Sequence, residues 1–170
     1  MRAVLAPVPA VHLTSALAVC AERGRVAFGT RDTDFFPDLA QEYGAGIDVF
    51  VVATSGYGDP DGLAGRIFCS TFAGFVPADK RRGLHPDPSV RPYTTLDPAD
   101  PDTPCFGFWE VSGLALLPPA VRLASFSGLS GSRLARPPRR PHFVTISVGL
   151  HQLAAEAAGG GAASWYPAPT

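Results

Sequence analysis

Apolar residues in the first quarter of the chain recur with two different periods, which predict alternating strands and helices. The predicted elements are, in order, a strand at 3–6, a helix at 11–22, a strand at 25–30 and a helix at 34–43. Pro7 is expected to end the first strand, because proline donates no backbone hydrogen bond. Asp34 is a candidate N-cap of the second helix and Gly44 a candidate stop.

The next part of the chain is predicted to hold a buried hairpin. Residues 47–54 form a continuous apolar run, and a longer run follows at 63–75. The segment between them, SGYGDPDG at 55–62, is rich in turn-forming residues and carries one aromatic, Tyr57. Strands joined by so short a connection are expected to pair antiparallel. An aromatic in a glycine-rich loop is harder to explain by burial than one in a strand, so Tyr57 is a candidate ligand contact.

The second half of the chain predicts fewer and more scattered elements. They are a Pro-, Asp- and Arg-rich loop at 77–104, a strand at 105–117, a short helical turn at 121–126, a strand at 142–147 and a helix from 147 to about 158. The predicted fold class is α+β, with a small curved sheet or open barrel of about five to six strands flanked by helices. Residues 1–158 form one domain, and 159–170 are expected to be a flexible tail or linker.

Charge is distributed unevenly along the chain. The net charge of −1 does not give the overall basic field of a protein that binds nucleic acid by electrostatics alone. Residues 104–170, however, carry five arginines against only Glu110 and Glu156. Four of these arginines fall within eight residues, at Arg133, Arg136, Arg139 and Arg140. This cluster predicts either a solvated basic loop or a surface that binds phosphate.

Several function classes are disfavoured by the residues themselves. The three cysteines form no CxxC pair and the four histidines are dispersed, so no metal or other cofactor is expected. Buried, reduced thiols are the default for these cysteines. The catalytic motifs GxSxG, HExxH and the P-loop are absent, so an enzyme is not expected. No stretch approaches the ~18 apolar residues that span a bilayer. We therefore expect a cytoplasmic protein without a membrane partner.

Four segments in order resemble one known family. The segment 27–32, AFGTRD, is placed like that family's W-x-G-x-R-N element, and 49–68 resembles a strand, an "hSN" loop and a "GIAG" strand start. The segment 108–126, with WEVSGLALL and PPAVRLASF, and the closing strand and helix at 143–156 fit as well. The chain thus resembles EVE domains of the PUA-like superfamily, to which YTH and ASCH domains also belong, over roughly 1–157.

The resemblance implies a reader of nucleic acid that holds a flipped-out modified base in an aromatic-lined pocket, typically a cytosine such as 5-methylcytosine in DNA. The base-pocket residues it implies are Phe28, Thr30, Arg31, Asp32, Thr54, Ser55, Tyr57 and Trp109. The Asp32 carboxylate can accept from the exocyclic amine of cytosine, and the Ser55 hydroxyl can bond another ring edge. The arginines at 133–140 would contact backbone phosphates.

The chain also departs from the family's pattern. Ala27 or Phe28 stands in place of the family's tryptophan, Asp32 replaces its asparagine, and no asparagine follows Ser55. Other interpretations remain open beside the reader. Phe28 and Trp109 suit a hydrophobic core, and Asp32 suits a helix entry.

Alternative functions for the whole chain also remain open. One is a hydrolase of modified nucleosides like some ASCH domains, for which Lys80 and Glu110 are the candidate residues. Another is an RNA-binding PUA-like module. A third is an interaction module with a fused or partner effector domain, which the GGG sequence after residue 158 would suit.

Overall fold

A computed structural model describes residues 1–96 and 104–159. It contains three helices and seven strands, which confirms the α+β class. The elements are β1 (Arg2–Pro9), α1 (Leu13–Arg23), β2 (Val26–Thr30), α2 (Phe35–Tyr43), β3 (Asp48–Thr54), β4 (Ile67–Pro77), β5 (Gly107–Leu116), β6 (Ser127–Gly128), β7 (His142–Thr145) and α3 (Val148–Gly159). The predicted turn at 121–126 is a short 3-10 helix, Leu123–Ser125.

The strands form one mixed sheet in the order β2-β5-β4-β3-β1-β7-β6. β1 and β3 run parallel, and the other neighbouring strands pair antiparallel, including the predicted pair β3 and β4. The sheet is not closed into a barrel, since β2 and β6 lie at its two ends. The prediction of five to six strands falls short by β6, whose two residues are too few to leave a periodic signal in the sequence.

The first strand is longer than predicted and passes through Pro7 to Pro9. β7 pairs only with residues 2–5 of β1, so the end of β1 has β3 as its one neighbour. A proline is tolerated where one side of a strand is unpaired, because no ladder bond is lost there. β4 differs in the opposite sense and begins at Ile67 rather than at residue 63, since residues 63–66 belong to the turn before it.

The helix boundaries follow the predicted signals with one correction. Gly24 ends α1 in a left-handed conformation with φ of 78°, and Gly44 ends α2 with φ of 64°. The N-terminus of α2 is different from the prediction, because the Asp34 side chain makes no capping hydrogen bond. Asp32 does so instead: its Oδ1 accepts from the backbone N–H groups of Asp34 and Phe35, each at 2.9 Å.

Helices cover both faces of the sheet. α1 and α2 bury Leu13, Val19 and Phe36 against one face, and α3 packs Leu150 and Ala154 against the other. The alternation of side chains along each strand supplies both cores, because successive residues point to opposite faces. All three cysteines are free and buried, as predicted, and burial raises the pKa of the Cys69 thiol to about 11.

The long segment after β4 is packed against the sheet as far as it is described. His85, Val90 and Arg91 are buried there, and Arg91 donates to the backbone oxygen of Ala27 at 2.8 Å. Residues 97–103 of this predicted loop lie outside the described residues, as do residues 160–170 of the predicted tail. None of the helices in the described parts of the chain is long and apolar enough to cross a membrane.

Candidate nucleic-acid interface

A cavity of about 1270 Å³ opens at one edge of the sheet. β1 and β3 are parallel and in register up to the pair Pro9 and Thr54, so their carboxyl ends meet at this edge. The wall opposite them is the junction of β2 and α2 at 28–34, and the rim is the segment 136–141. The cavity therefore draws its walls from segments more than 100 residues apart in sequence.

All of the predicted base-pocket residues line this cavity. They are Phe28, Thr30, Arg31, Asp32, Thr54, Ser55, Tyr57 and Trp109. Arg136, Arg139 and Arg140 of the predicted phosphate cluster line it too, whereas Arg133 does not and borders a separate depression. The residues were selected from four sequence segments, and the fold brings three of the four together completely.

Two of the predicted aromatics belong chiefly to the core. Phe28 and Trp109 are only 4% and 3% exposed. Phe36 stacks on Trp109 with ring centroids 4.7 Å apart and planes 6° apart, and Phe28 lies 4.8 Å from Trp109. The Trp109 face that Phe36 covers cannot also stack on a ligand. These rings form the apolar floor of the cavity, and sequence reasoning missed Phe36 because its helical position predicted only a core role.

Tyr57 is the aromatic of the cavity whose ring is most available. It is 55% exposed and lies at the tip of the loop between β3 and β4. The loop is held firmly beneath it: the Gly58 N–H donates to the Ser55 carbonyl at 3.0 Å. The Asp59 carboxylate accepts from the N–H groups of Leu63 at 2.6 Å and Ala64 at 3.0 Å. The ring is therefore solvent-exposed on a backbone with little freedom to move.

Asp32 places a carboxylate at the cavity wall. The N–H groups of Phe35 and Asp34 that it accepts, together with the charge of Arg140, lower the pKa of Asp32 below its ordinary value. Thr30 helps to orient this turn, since its Oγ1 accepts from the Asp32 N–H at 3.0 Å. Both backbone bonds reach Oδ1, so Oδ2 stays an acceptor within the cavity wall. The arrangement supplies an ionised acceptor fixed in place.

The rim of the cavity is positively charged and poor in carboxylate partners. Within residues 1–96 and 104–159, Arg136, Arg139 and Arg140 form no ion pair with an acidic side chain. Each of these three arginines is exposed. Pro137, Pro138 and Pro141 alternate with them and limit the conformations of the segment, because proline fixes φ. The rim therefore presents guanidinium groups on a stiffened backbone.

Some lining residues were not predicted. His12 is buried, and its Nδ1 lies 2.7 Å from the Thr94 hydroxyl, while Thr95 beside it also lines the cavity. Pro7 and Pro9 line it from the end of β1. A signal for all of them would have been the parallel pairing of β1 and β3, which puts whatever follows both strands at one edge. The sequence predicts the strands but not that pairing.

The residues considered for catalysis lie elsewhere. Glu110 points to the face of the sheet opposite Trp109, where its Oε1 accepts from His85 Nε2 at 2.9 Å and Arg25 Nε lies 3.6 Å from Oε2. Lys80 is exposed in the segment after β4, and neither residue lines the cavity. Among the described residues there is also no group of three or more His, Cys, Asp or Glu that could hold a metal ion.

No protein-family model, no curated protein and no solved structure matches the chain. The relationship to known domains therefore rests on the sequence motifs and on the geometry of the cavity.

Proposed function

We propose that this chain is a PUA-like, EVE-type module that binds a flipped-out modified base, most specifically a modified cytosine in DNA. One observation carries the proposal. Residues chosen from separate sequence segments as base-pocket candidates all line a single cavity, and arginines chosen as phosphate contacts form its rim. A base-reading pocket needs both parts in this order, because the base must enter between phosphates that stay outside.

The chemistry of the cavity matches what a flipped base loses. Leaving the duplex removes its stacking neighbours, and the exposed Tyr57 ring supplies one replacement face. A buried polar group without a partner costs about 1–3 kcal/mol, so the Watson–Crick edge also needs partners. The Asp32 carboxylate accepts from the cytosine amine, and the hydroxyl of Ser55 serves a second position on the ring edge.

The size of the cavity suits a nucleotide that carries a substituent. Pockets for drug-sized molecules occupy roughly 300–1,000 Å³, and this cavity of about 1270 Å³ exceeds that range. A base, its sugar and an added group on the ring can all be accommodated. The apolar floor formed by Phe28, Phe36 and Trp109 would receive an apolar substituent such as a methyl group.

The hydrolase alternative receives no comparable support. Its candidate residues Lys80 and Glu110 do not line the cavity, and Glu110 is committed to His85 on the other face of the sheet. RNA remains the alternative nucleic acid, because arginines on the rim contact phosphates in both polymers. The binding experiment therefore includes RNA of matched sequence.

Binding to matched oligonucleotides tests the proposal. The probes are DNA strands of identical sequence with one cytosine, 5-methylcytosine or 5-hydroxymethylcytosine, and the RNA equivalents, at one fixed salt concentration. We expect tighter binding to a modified DNA strand, and Tyr57→Ala should abolish the preference. Tyr93→Ala is the matched control, because Tyr93 is 54% exposed but bonds Glu22 outside the cavity. Equal affinity for every probe would refute the proposed function.

The arginine rim makes a second, separable contribution. Arg139→Ala should weaken binding to modified and unmodified strands by the same factor, because a phosphate contact does not sense the base. The salt dependence of affinity should also become shallower by about one unit of log–log slope. Loss of base preference in Arg139→Ala would instead place this arginine in base recognition.

A further inference from the structure

Arg133 was expected to act with the other three arginines, but the fold separates it from them. It borders a second depression of about 590 Å³ on the outer edge of the sheet, beside β6 and β7. Arg122 borders the same depression and was not among the predicted site residues. The remaining polar lining consists of hydroxyl groups, at Ser125, Ser127, Thr145 and Ser147. No acidic side chain lines it.

The charge around this depression is not neutralised. Residues 111–155 contain five arginines and no aspartate or glutamate. Across the described part of the chain, Arg122 and Arg133 form no ion pair within 4.0 Å. Two guanidinium groups that share a concave surface without a carboxylate repel each other unless an anion lies between them. The depression is therefore suited to a phosphate group, which guanidinium binds in a bidentate manner.

Backbone hydrogen bonds hold both arginines in position. Arg133 follows a tight hairpin in which Gly128 N–H donates to Ser132 at 2.8 Å and Leu134 N–H donates to Phe126 at 3.1 Å. The Arg122 carbonyl accepts from Ser125 N–H at 2.8 Å. The Arg122 N–H in turn donates to the Ser125 hydroxyl oxygen at 3.2 Å, which leaves that hydroxyl proton able to donate to an anion. The site thus needs little ordering on binding.

The second depression is continuous with the rim of the main cavity. Arg133 borders the depression and Arg136 the cavity, and three residues of extended chain span at most about 11 Å. Neighbouring phosphates of one strand are about 3.4 Å apart along a duplex axis, so this separation corresponds to about three nucleotides. A strand whose base enters the cavity therefore reaches the depression within a few phosphates.

We infer that the depression between Arg122 and Arg133 is a second phosphate-binding site, which holds the backbone of the same strand about three nucleotides from the flipped base. The inference rests on the proposed function for the identity of the strand. Its own content is the partner's length: a strand too short to extend beyond the cavity leaves this site empty. Affinity should therefore rise with length in a manner that requires Arg122.

A length series tests the second site. Fluorescence anisotropy is measured on DNA strands of 3 and 12 nucleotides with a central 5-methylcytosine, for wild type, Arg122→Ala, Arg122→Lys and Arg81→Ala. Arg122→Ala should weaken the 12-mer about 3- to 10-fold and leave the trimer unchanged, and its salt slope should fall by about 0.7–0.9. Arg122→Lys should retain most of the affinity. Arg81→Ala removes the same charge from a remote, exposed position and should change nothing.

The outcomes separate the two proposals. If Arg122→Ala binds the 12-mer as tightly as Arg81→Ala does while the preference for 5-methylcytosine persists, the second site is refuted and the proposed function stands. If no preference for 5-methylcytosine exists but Arg122→Ala still lowers the salt slope, the phosphate site stands and the base reader fails. Since Arg122 is exposed, its substitution is not expected to unfold the protein, and thermal melting of each variant checks this.

Discussion

Gly29 lies where the cavity wall meets the segment that follows residue 104. A β-carbon at this position would stand 2.4 Å from the Cys105 sulfur, far inside van der Waals contact. Gly29→Ala should therefore destabilise the fold by about 1–3 kcal/mol, as overpacking of a core does. Gly56→Ala is the control, because a β-carbon there meets nothing within 4 Å. Urea unfolding of both variants measures the difference, and equal midpoints would contradict the expectation.

Asp32 is expected to make the N-terminus of α2 sensitive to acid. Its pKa is lowered by the N–H groups of Phe35 and Asp34, so its ionised form stabilises the fold above its ordinary value of 3.8. This contribution is lost as pH falls through the lowered value. Asp32→Ala should cost about 1 kcal/mol at pH 7, in line with other lost caps, and less at pH 2.5.

Asp32→Asn provides the control for this effect. Asparagine caps helices about as well as aspartate, so stability at pH 7 should change little, and the acid-dependent part should disappear. Urea unfolding of the three proteins between pH 2.5 and 7 gives the comparison. A constant gap between wild type and Asp32→Ala over that range would mean that the carboxylate does not cap α2 through its charge.

Residue identities conveyed the candidate site better than residue roles. Tyr57 was predicted to be exposed in a turn-rich loop, and it is, because such a loop cannot bury a large ring. Asp32 and Asp34 could not be told apart as caps, since both precede α2 and the choice depends on the turn at 30–35. Trp109 could not be placed either, because only the position of Phe36 decides which of its faces is covered.

The loop between β3 and β4 is expected to depend on one side chain. The Asp59 carboxylate closes the turn by accepting the N–H groups of Leu63 and Ala64. Asp59→Ala should raise amide hydrogen exchange over 55–66 and reduce the preference for a modified base, because Tyr57 would lose its fixed position. Asp79→Ala is matched to it, since Asp79 closes a similar turn at Arg81 and Arg82 away from the cavity. Unchanged exchange over 55–66 would contradict this role.

The segment 78–96 is held to the sheet by a buried pair. His85 Nδ1 accepts from the Asp87 N–H at 2.8 Å, so the proton of a neutral ring lies on Nε2 and is donated to Glu110. His85→Leu should destabilise the fold by about 3 kcal/mol, because it leaves a buried carboxylate with only Arg25 nearby. Glu110→Gln keeps an acceptor for Nε2 and should cost less. Urea unfolding checks the order, which would be reversed if the pair did not stabilise the segment.

Elements with local signals were predictable, and those with distant partners were not. The glycines after α1 and α2 end those helices because their backbone angles suit no other residue as well. Pro7 misled the prediction of β1, since the tolerance for proline depends on where β7 stops pairing more than 130 residues later. β6 exists only because a hairpin at 127–133 returns beside β7, and two residues have no period to read.

At the scale of the molecule, the parallel pair β1 and β3 determines where a ligand can bind. It leaves two carboxyl ends at one edge, and the arginine-rich segment crosses that edge on its way to β7. The order of strands joins residues from both ends of the chain, which no local pattern can predict. The charge pattern was visible in the sequence, and the topology determines that it surrounds a cavity instead of a flat surface.

This separation of charge from base contacts predicts how salt affects recognition. With about four phosphates contacted by the arginines at 122–140, affinity should fall on the order of 10²-fold between 50 and 200 mM salt. Modified and unmodified strands lose the same contacts, so the ratio of their affinities should stay constant within about twofold. Titrations of both strands by anisotropy at four salt concentrations measure slope and ratio together. A ratio that declines with the slope would mean that the arginines discriminate the base and that the cavity does not.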